Sequence, residues 1–283
     1  MADHFDIDAV RDHYDRISVF YRALWGDHIH HGYWEHNESP EEAQVKLIEK
    51  LAGHARIPRG ARVLDVGCGV GGSSLWLARH LDCTVTGVTI SPVQASMASE
   101  QARREGLADR ARFEVGDASQ LNAPPESFDV IWVIECSEHL ADKGSFIRSC
   151  AQALRPGGVL ALCAWLVSEQ TSDRDAQLVS RVCEGMLCPS LASLEDYSDW
   201  MSASGFEEIE AKDITRNVAR TWTRCATLLH RPEIKTLVRV SDERTRRFAA
   251  AFEAIDQAYT TGAMAYGLFT ARKSRNKKQS DDS

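Results

Sequence analysis

Asp65, Gly67, Gly69, Gly71 and Gly72 fall within one short stretch, LDVGCGVGGSSLWLAR (Leu64–Arg79), with the residue types of a loop that touches a nucleotide. Gly67, Gly69 and Gly72 form a literal G-x-G-x-x-G, which lets backbone approach a dinucleotide. A dinucleotide site also wants an acid about 20 residues further on, for the ribose 2′-hydroxyl. No Asp or Glu occurs between Asp82 and Glu100, so that reading lacks its confirming residue. The following segment, GVTISPVQ, instead offers Thr89, Ser91 and Gln94, uncharged groups able to hydrogen-bond two hydroxyls. Ser91-Pro92-Val93-Gln94 is also a good capping box, and both roles can hold together. Beyond it, VGDAS supplies Asp117 to accept from an adenine amine and the Ala118 amide to donate to a ring nitrogen. Asp65 orders the loop and can reach an ammonium group, directly or through water. Together these residues fit S-adenosylmethionine rather than NAD.

Methyl transfer from a sulfonium is an in-line displacement, and positioning supplies roughly 7–11 kcal/mol of its acceleration. A base that removes the acceptor's proton adds about 10²–10⁴-fold. His139, beside Glu138 in the segment FDVIWVIECSEHL, has an imidazole suited to that task near pH 7. His31 and His30 lie on a loop expected to fold over the cofactor and make the second candidate. A histidine after a strand also serves as a cap or packing residue, and Glu135 and Glu138 serve to order the loop. Trp25, Tyr33, Trp34, Trp165 and Trp222 border the expected cofactor mouth or a helical lid. A pocket lined this way favours an apolar or ring-containing acceptor with few polar fixings. Ordinary core packing competes for part of this set.

The elements that must carry these residues are legible from Ala61 onward. Short β-branched runs (ARVLDVG, CTVTGVTI, ARFEVGD, FDVIWVIE, VLALCAWL) alternate with amphipathic helical segments such as PVQASMASEQARREG and KGSFIRSCAQALRPGG. Runs without polar alternation suit strands buried on both faces, and alternation with helices implies right-handed crossovers and a parallel doubly wound sheet. Two late strands, near FEEIEAKDI and GAMAYGLFTARK, complete an α/β, Rossmann-like sheet of seven mostly parallel strands. Upstream, Asp6 to about Leu24 reads as a helix, and a second begins at SPEEAQ, where Ser39 and Glu42 form a capping box with Pro40 first in the helix. The expected organisation is an N-terminal helical cap (1–58), one catalytic domain (59–273) with helical insertions near 172–190 and 216–260, and a disordered basic tail (274–283).

Composition removes several function classes. Net charge of −8 and a pI near 5.7 argue against a nucleic-acid partner, since such proteins usually show a basic face. No apolar run approaches the roughly 18 residues of a membrane span. The acidic, mixed start MADHFDIDAVRDHYDRIS has the look of neither a signal nor a transit peptide. Eight scattered cysteines without a C-x-x-C read as reduced core residues in a cytoplasmic protein. The cluster His28, His30, His31 and His36 lacks a partner at ligand spacing, so no metal is expected.

VLDVGCGVGGSSLWLAR, GVTISPVQ, VGDAS, FDVIWVIECSEHLADK and LRPGGVLALCAW together resemble the class I S-adenosylmethionine-dependent methyltransferases. WGDHIHHGYWE (Trp25–Glu35) and DITRNVARTW (Asp213–Trp222) narrow the likeness to the γ-tocopherol methyltransferase-like group, which includes alkaloid N-methyltransferases. The resemblance runs from about Tyr14 to Lys273. It implies that Gly67, Cys68, Gly69 and Gly71, with Ile134, Glu135 and His30, line the cofactor site, and that Tyr14 reaches the cofactor carboxylate from the N-terminal helix. The N-terminal residues do not have the look of a plastid transit peptide, so a plastid tocopherol role is not expected. The chain is also similar to cyclopropane fatty acid synthases, in its Thr…Ser…Gln segment and its Glu138-His139 pair. Where those enzymes carry a cysteine that helps hold bicarbonate, this chain has His31.

The expected function is methyl transfer from S-adenosylmethionine to carbon, nitrogen or oxygen of a small, largely apolar, ring-containing acceptor. Trp25, Tyr33, Trp165 and Trp222 are its candidate contacts. Lipid cyclopropanation and a cyclase that holds the cofactor without using it are the alternatives, and oligomer formation is left open.

Overall fold

Alternate side chains of the apolar strands feed two separate cores. In the computed structural model, which describes residues 7–168 and 172–275, five strands run parallel: β1 (Arg62–Val66), β2 (Thr84–Thr89), β3 (Ala111–Val115), β4 (Phe128–Ile134) and β5 (Leu154–Val167). Two more, β6 (Phe206–Asp213) and β7 (Met264–Lys273), close one edge, β7 running antiparallel to both β5 and β6. The order is β3-β2-β1-β4-β5-β7-β6, the mostly parallel seven-stranded sheet expected from the sequence. On β4, Val130, Trp132 and Ile134 enter one core while Ile131 and Val133 enter the other. β5 divides the same way, with Cys163 and Trp165 on the first side and Leu162 and Ala164 on the second. Period-2 alternation between two apolar faces is why these strands read as unbroken hydrophobic runs.

The helices, in chain order, are α1 (Ile7–Trp25), α2 (Pro40–Ala55), α3 (Gly72–His80), α4 (Pro92–Arg104), α5 (Lys143–Ala153), α6 (Asp173–Met186), α7 (Leu194–Ala203), α8 (Thr215–Val218), α9 (Arg220–Leu229), α10 (Pro232–Val240) and α11 (Glu243–Thr261). α2 begins with the capping box read from the sequence: Ser39 Oγ accepts from the Glu42 amide at 3.2 Å, and the Glu42 carboxylate accepts from the Ser39 amide at 2.7 Å. α2 then packs on β5 and β7, while α1 packs on α4. α6 and α9 both pack against α11, forming a helical cover beside the sheet. No helix among the described residues is long and apolar enough to cross a membrane.

One boundary differs from the sequence pattern, which carries the fifth helix on to Gly158. Leu154 already pairs with Phe128, and regular pairing resumes at Val130–Val159 after a register shift. Pro156, with no amide to donate and a ring that blocks the preceding turn, cannot sit inside a continuing helix.

Candidate active site

The sheet order reverses between β1 and β4, so the loops leaving their carboxyl ends splay apart and open a crevice. The loop after β1 is shaped for close approach. Gly67 has φ +78°, and a Cβ there would lie 2.4 Å from that of Cys136. Gly71 has φ +89° and caps α3, and a Cβ there would meet Ala98 and Phe113 at 2.9 Å. Only glycine adopts these angles without strain.

The resulting cleft, about 660 Å³, is lined by Gly67 and Gly69, by Thr89 and Gln94 from the β2–α4 turn, and by Asp117 and Ala118 after β3. Ile134, Glu135 and His139 close it from β4, and Tyr14 from α1. Asp65, Cys68 and His30 line an adjoining recess that shares Gly67, Gly69 and Ile134 with the cleft. Thr89 Oγ1 donates to Gln94 Oε1 at 2.7 Å, fixing both groups on the floor. Ser91 is employed elsewhere: its Oγ accepts from the Gln94 amide at 3.0 Å and donates to Asp15 at 2.5 Å, tying α4 to α1. Asp65, 2% exposed, accepts from Ser74 Oγ at 2.6 Å. Burial pushes its pKa up to about 7 against that bond. The glycine cradle, the Thr89–Gln94 pair and a buried acid with one protein donor fit the close approach, ribose and ammonium demands of S-adenosylmethionine.

A second cavity of about 580 Å³ shares the wall made by Tyr14, Ile29, Glu135 and His139 with the cleft. Trp165, Trp222, Met186 and Cys188 give it an apolar lining, and His13, His30, His31, Glu138 and Thr221 add polar groups. In the shared wall, His139 Nδ1 lies 2.9 Å from the Leu187 carbonyl oxygen, so that nitrogen carries the proton. Nε2 then accepts from Tyr14 Oη at 3.0 Å. Burial lowers the His139 pKa, outweighing the Leu187 carbonyl, which favours the charged ring.

His31 is placed differently. Its ring is 1% exposed, enclosed by Trp165, Trp222, Tyr259 and Tyr266. Trp222 Nε1 donates to His31 Nε2 at 2.7 Å, and Tyr259 Oη lies 3.1 Å from the same atom. An indole nitrogen only donates, so the imidazole proton sits on Nδ1, 2.9 Å from Glu135 Oε1. That oxygen also accepts from the His31 amide and from Tyr266 Oη, each at 2.8 Å. Burial opposes the Glu135 charge, but electrostatic attraction to His31, the bonds His31 donates and attraction to His30 outweigh it and hold the pKa at about 2.

Of the aromatic candidates, Trp165 and Trp222 line the second cavity. Tyr33 lies outside both cavities, its ring 5.0 Å beneath Lys50 Nζ. Trp34 donates to Thr221 Oγ1 at 2.9 Å, which bolts its loop to α9. The Trp25 side chain lies outside the described residues. Tyr259, Tyr266, Met186 and Thr221 were not singled out from sequence; each reaches the site from a distant element, and only their apolar segments hinted at burial.

The fold and the cleft are those of a class I S-adenosylmethionine-dependent methyltransferase. The chain belongs to the family described as mycolic acid cyclopropane synthetase, which matches residues 2–266. It is 34% identical over 263 residues to 27-O-demethylrifamycin SV methyltransferase of Amycolatopsis mediterranei (strain S699), covering 92% of this chain and 95% of that one. It is 31% identical over 277 residues to a tocopherol O-methyltransferase, designated probable and chloroplastic, of Oryza sativa subsp. japonica, covering 92% and 76% respectively. Among solved structures, the cyclopropane synthase MmaA2 from Mycobacterium tuberculosis superposes with a TM-score of 0.83 at 21% identity, covering 96% of this chain and 99% of that one.

Proposed function

We propose that the chain methylates a hydroxyl of a small, largely apolar, ring-containing acceptor. One observation carries this reading: an aromatic-walled cavity meets the cofactor cleft at a wall that includes a hydrogen-bonded tyrosine and histidine. The names of the two relatives, which refer to a rifamycin and to tocopherol, lend it support. Eight free thiols agree with a reducing, cytoplasmic setting.

S-adenosylmethionine, when bound, supplies an electrophilic methyl on its sulfonium. Thr89 and Gln94 hold the ribose, Asp117 and the Ala118 amide the adenine, and Asp65 the ammonium end. Trp165 and Trp222 hold the acceptor ring and exclude water. Tyr14 Oη would take the acceptor's hydroxyl proton as it passed its own to His139 Nε2, leaving the acceptor oxygen as the nucleophile. The lowered pKa of His139 keeps Nε2 free of a solvent proton near neutral pH. His31 acts as a fixed strut with both ring nitrogens bonded within the protein.

A screen of phenols, prenylated quinols, indoles, fatty acyl lipids and tRNA, read out as S-adenosylhomocysteine, tests this reading. Methylated ring compounds are expected; turnover confined to lipids or tRNA would exclude it. Methylene transfer to a lipid alkene is the second reading, favoured by Glu138 and His139 standing together on the cavity wall.

Asp65→Asn separates binding from folding. S-adenosylhomocysteine should bind about tenfold or more weakly, the scale of a lost buried hydrogen bond at roughly 1–3 kcal/mol. The ligand-free variant should nonetheless melt higher at pH 8. Because the folded pKa, about 7, lies above the ordinary 3.8, ionisation penalises the folded state increasingly as pH rises between those values. Asparagine has no such penalty, so the gain should vanish toward pH 4. Melting curves at both pH values check the sign, and a variant less stable at pH 8 would contradict it.

A further inference from the structure

Six buried side-chain nitrogen or oxygen atoms among the described residues have no hydrogen-bond partner, and three of them belong to residues that wall the second cavity: Glu138 Oε2, Trp165 Nε1 and His30 Nε2. Those residues are 2%, 8% and 8% exposed, so bulk water does not satisfy them. Unpaired buried polar atoms are costly, and their concentration in one small cavity marks a place where a ligand makes the missing bonds.

The chemistry of each atom is fixed by its surroundings. Trp165 Nε1 carries a hydrogen and only donates. His30 Nδ1 lies 2.8 Å from the His31 carbonyl oxygen, so the proton is there and Nε2 presents a lone pair. Burial lowers the His30 pKa and preserves that state. Glu138 Oε1 accepts from the Trp165 amide at 2.6 Å, and Oε2 is left without a partner. Burial, assisted by the Glu135 charge, raises the Glu138 pKa to about 8, so below that value Oε2 bears a proton. The wall therefore offers two donors and one acceptor. A hydroxyl group offers the complement, one proton to give and two lone pairs to receive. An ether has nothing for His30, and a hydrocarbon leaves all three atoms unpaired.

We propose that Trp165 Nε1, Glu138 Oε2 and His30 Nε2 form an anchor for a hydroxyl of the acceptor other than the one that is methylated, which selects hydroxylated ring compounds over their deoxy and etherified counterparts. The proposal rests on the ring-acceptor reading above. Selection of this kind is strong because an analogue without the hydroxyl leaves buried polar groups unpaired, whereas apolar pockets discriminate weakly.

Titration of the S-adenosylhomocysteine-loaded protein with 2-naphthol, naphthalene and 2-methoxynaphthalene tests it. 2-Naphthol is expected to bind at least tenfold more tightly than either of the others. Trp165→Phe keeps an aromatic ring but removes the donor, and should shrink that preference at least threefold while S-adenosylhomocysteine affinity stays within twofold. Glu138→Ala should do the same, and carries the test if Trp165→Phe does not fold. Glu138→Gln should retain the preference, because its amide N–H stands in for the acid O–H. Absence of binding by all three probes, equal binding, or a preference untouched by Trp165→Phe and Glu138→Ala would overturn the proposal. A hydroxyl preference without any methylated ring product would leave the anchor standing and remove the ring-methylation reading.

Discussion

Replacing His139 by alanine is expected to lower kcat by roughly 10²–10⁴-fold, the contribution of a positioned general base. Affinity for S-adenosylhomocysteine should change no more than about threefold, because a proton acceptor acts on the transition state rather than on the bound ground state. Tyr14→Phe should cost a similar factor, since Tyr14 Oη stands 3.0 Å from His139 Nε2 and both residues face the two cavities. The double variant should be little worse than either single one, as expected of groups that act as a unit. The pH profile supplies a second readout. A base works unprotonated, so the lowered His139 pKa should move the acid limb of activity below the ordinary imidazole value of 6.5. Burial raises the Tyr14 pKa, so the phenol keeps its proton through the usual assay range and adds no alkaline limb. Near-normal turnover of His139→Ala across pH 6–9 would make that residue structural.

Glu135→Ala should be among the most destabilising single changes at this end of the sheet, by about 3–5 kcal/mol, the cost of breaking a buried charge cluster. Glu135 Oε1 receives the His31 amide, His31 Nδ1 and Tyr266 Oη, and each donor would be left buried without it. These donors come from the loop before α2 and from near the start of β7, and they meet on Glu135 just beyond the end of β4. The substitution therefore loosens the wall between the cavities as well as the fold. Its pKa, about 2 against an ordinary 4.5, fixes the pH dependence. The stabilisation is complete above pH 4.5 and is lost as pH falls toward 2, because the unfolded chain takes up the proton first. Denaturant unfolding at pH 7, 4 and 3 should show the gap between wild type and Glu135→Ala narrowing in acid. A gap below about 1 kcal/mol at pH 7, or one that widens in acid, would contradict this account.

Local pattern made the sheet legible: β-branched runs of strand length, separated by capped amphipathic segments, leave few other ways to bury both faces. The glycine loop was legible for a related reason, since the close approach at Gly67 forbids a side chain and writes itself into the sequence. Long-range pairing was not legible. Periodicity says which face of β7 carries Tyr266 but not that β7 inserts beside β5, where Tyr266 pairs with Trp165 and reaches Glu135. Likewise, HHGYWE contains two adjacent aromatics of similar character. Only tertiary structure shows that Tyr33 lies under Lys50 while Trp34 is bonded to Thr221. Glu138 reads as a residue that orders its loop, and one oxygen does so by holding the Trp165 amide. That the other is left without a partner, in a residue that lines a cavity with Trp165 of β5 and His30 of the loop before α2, is encoded by no spacing along the chain.

The most direct test of the central claim follows the methyl group itself. S-adenosylmethionine carrying a fully deuterated methyl, supplied with a hydroxylated ring acceptor, gives a product whose deuterium content reports the reaction. Transfer to oxygen keeps all three deuterons on the product, in equal amount to the S-adenosylhomocysteine released, and that is the result predicted here. Products from lipid alkenes alone that retain two deuterons would show methylene transfer, and a rearranged product with none, formed without S-adenosylhomocysteine, would show a cyclase; either contradicts it.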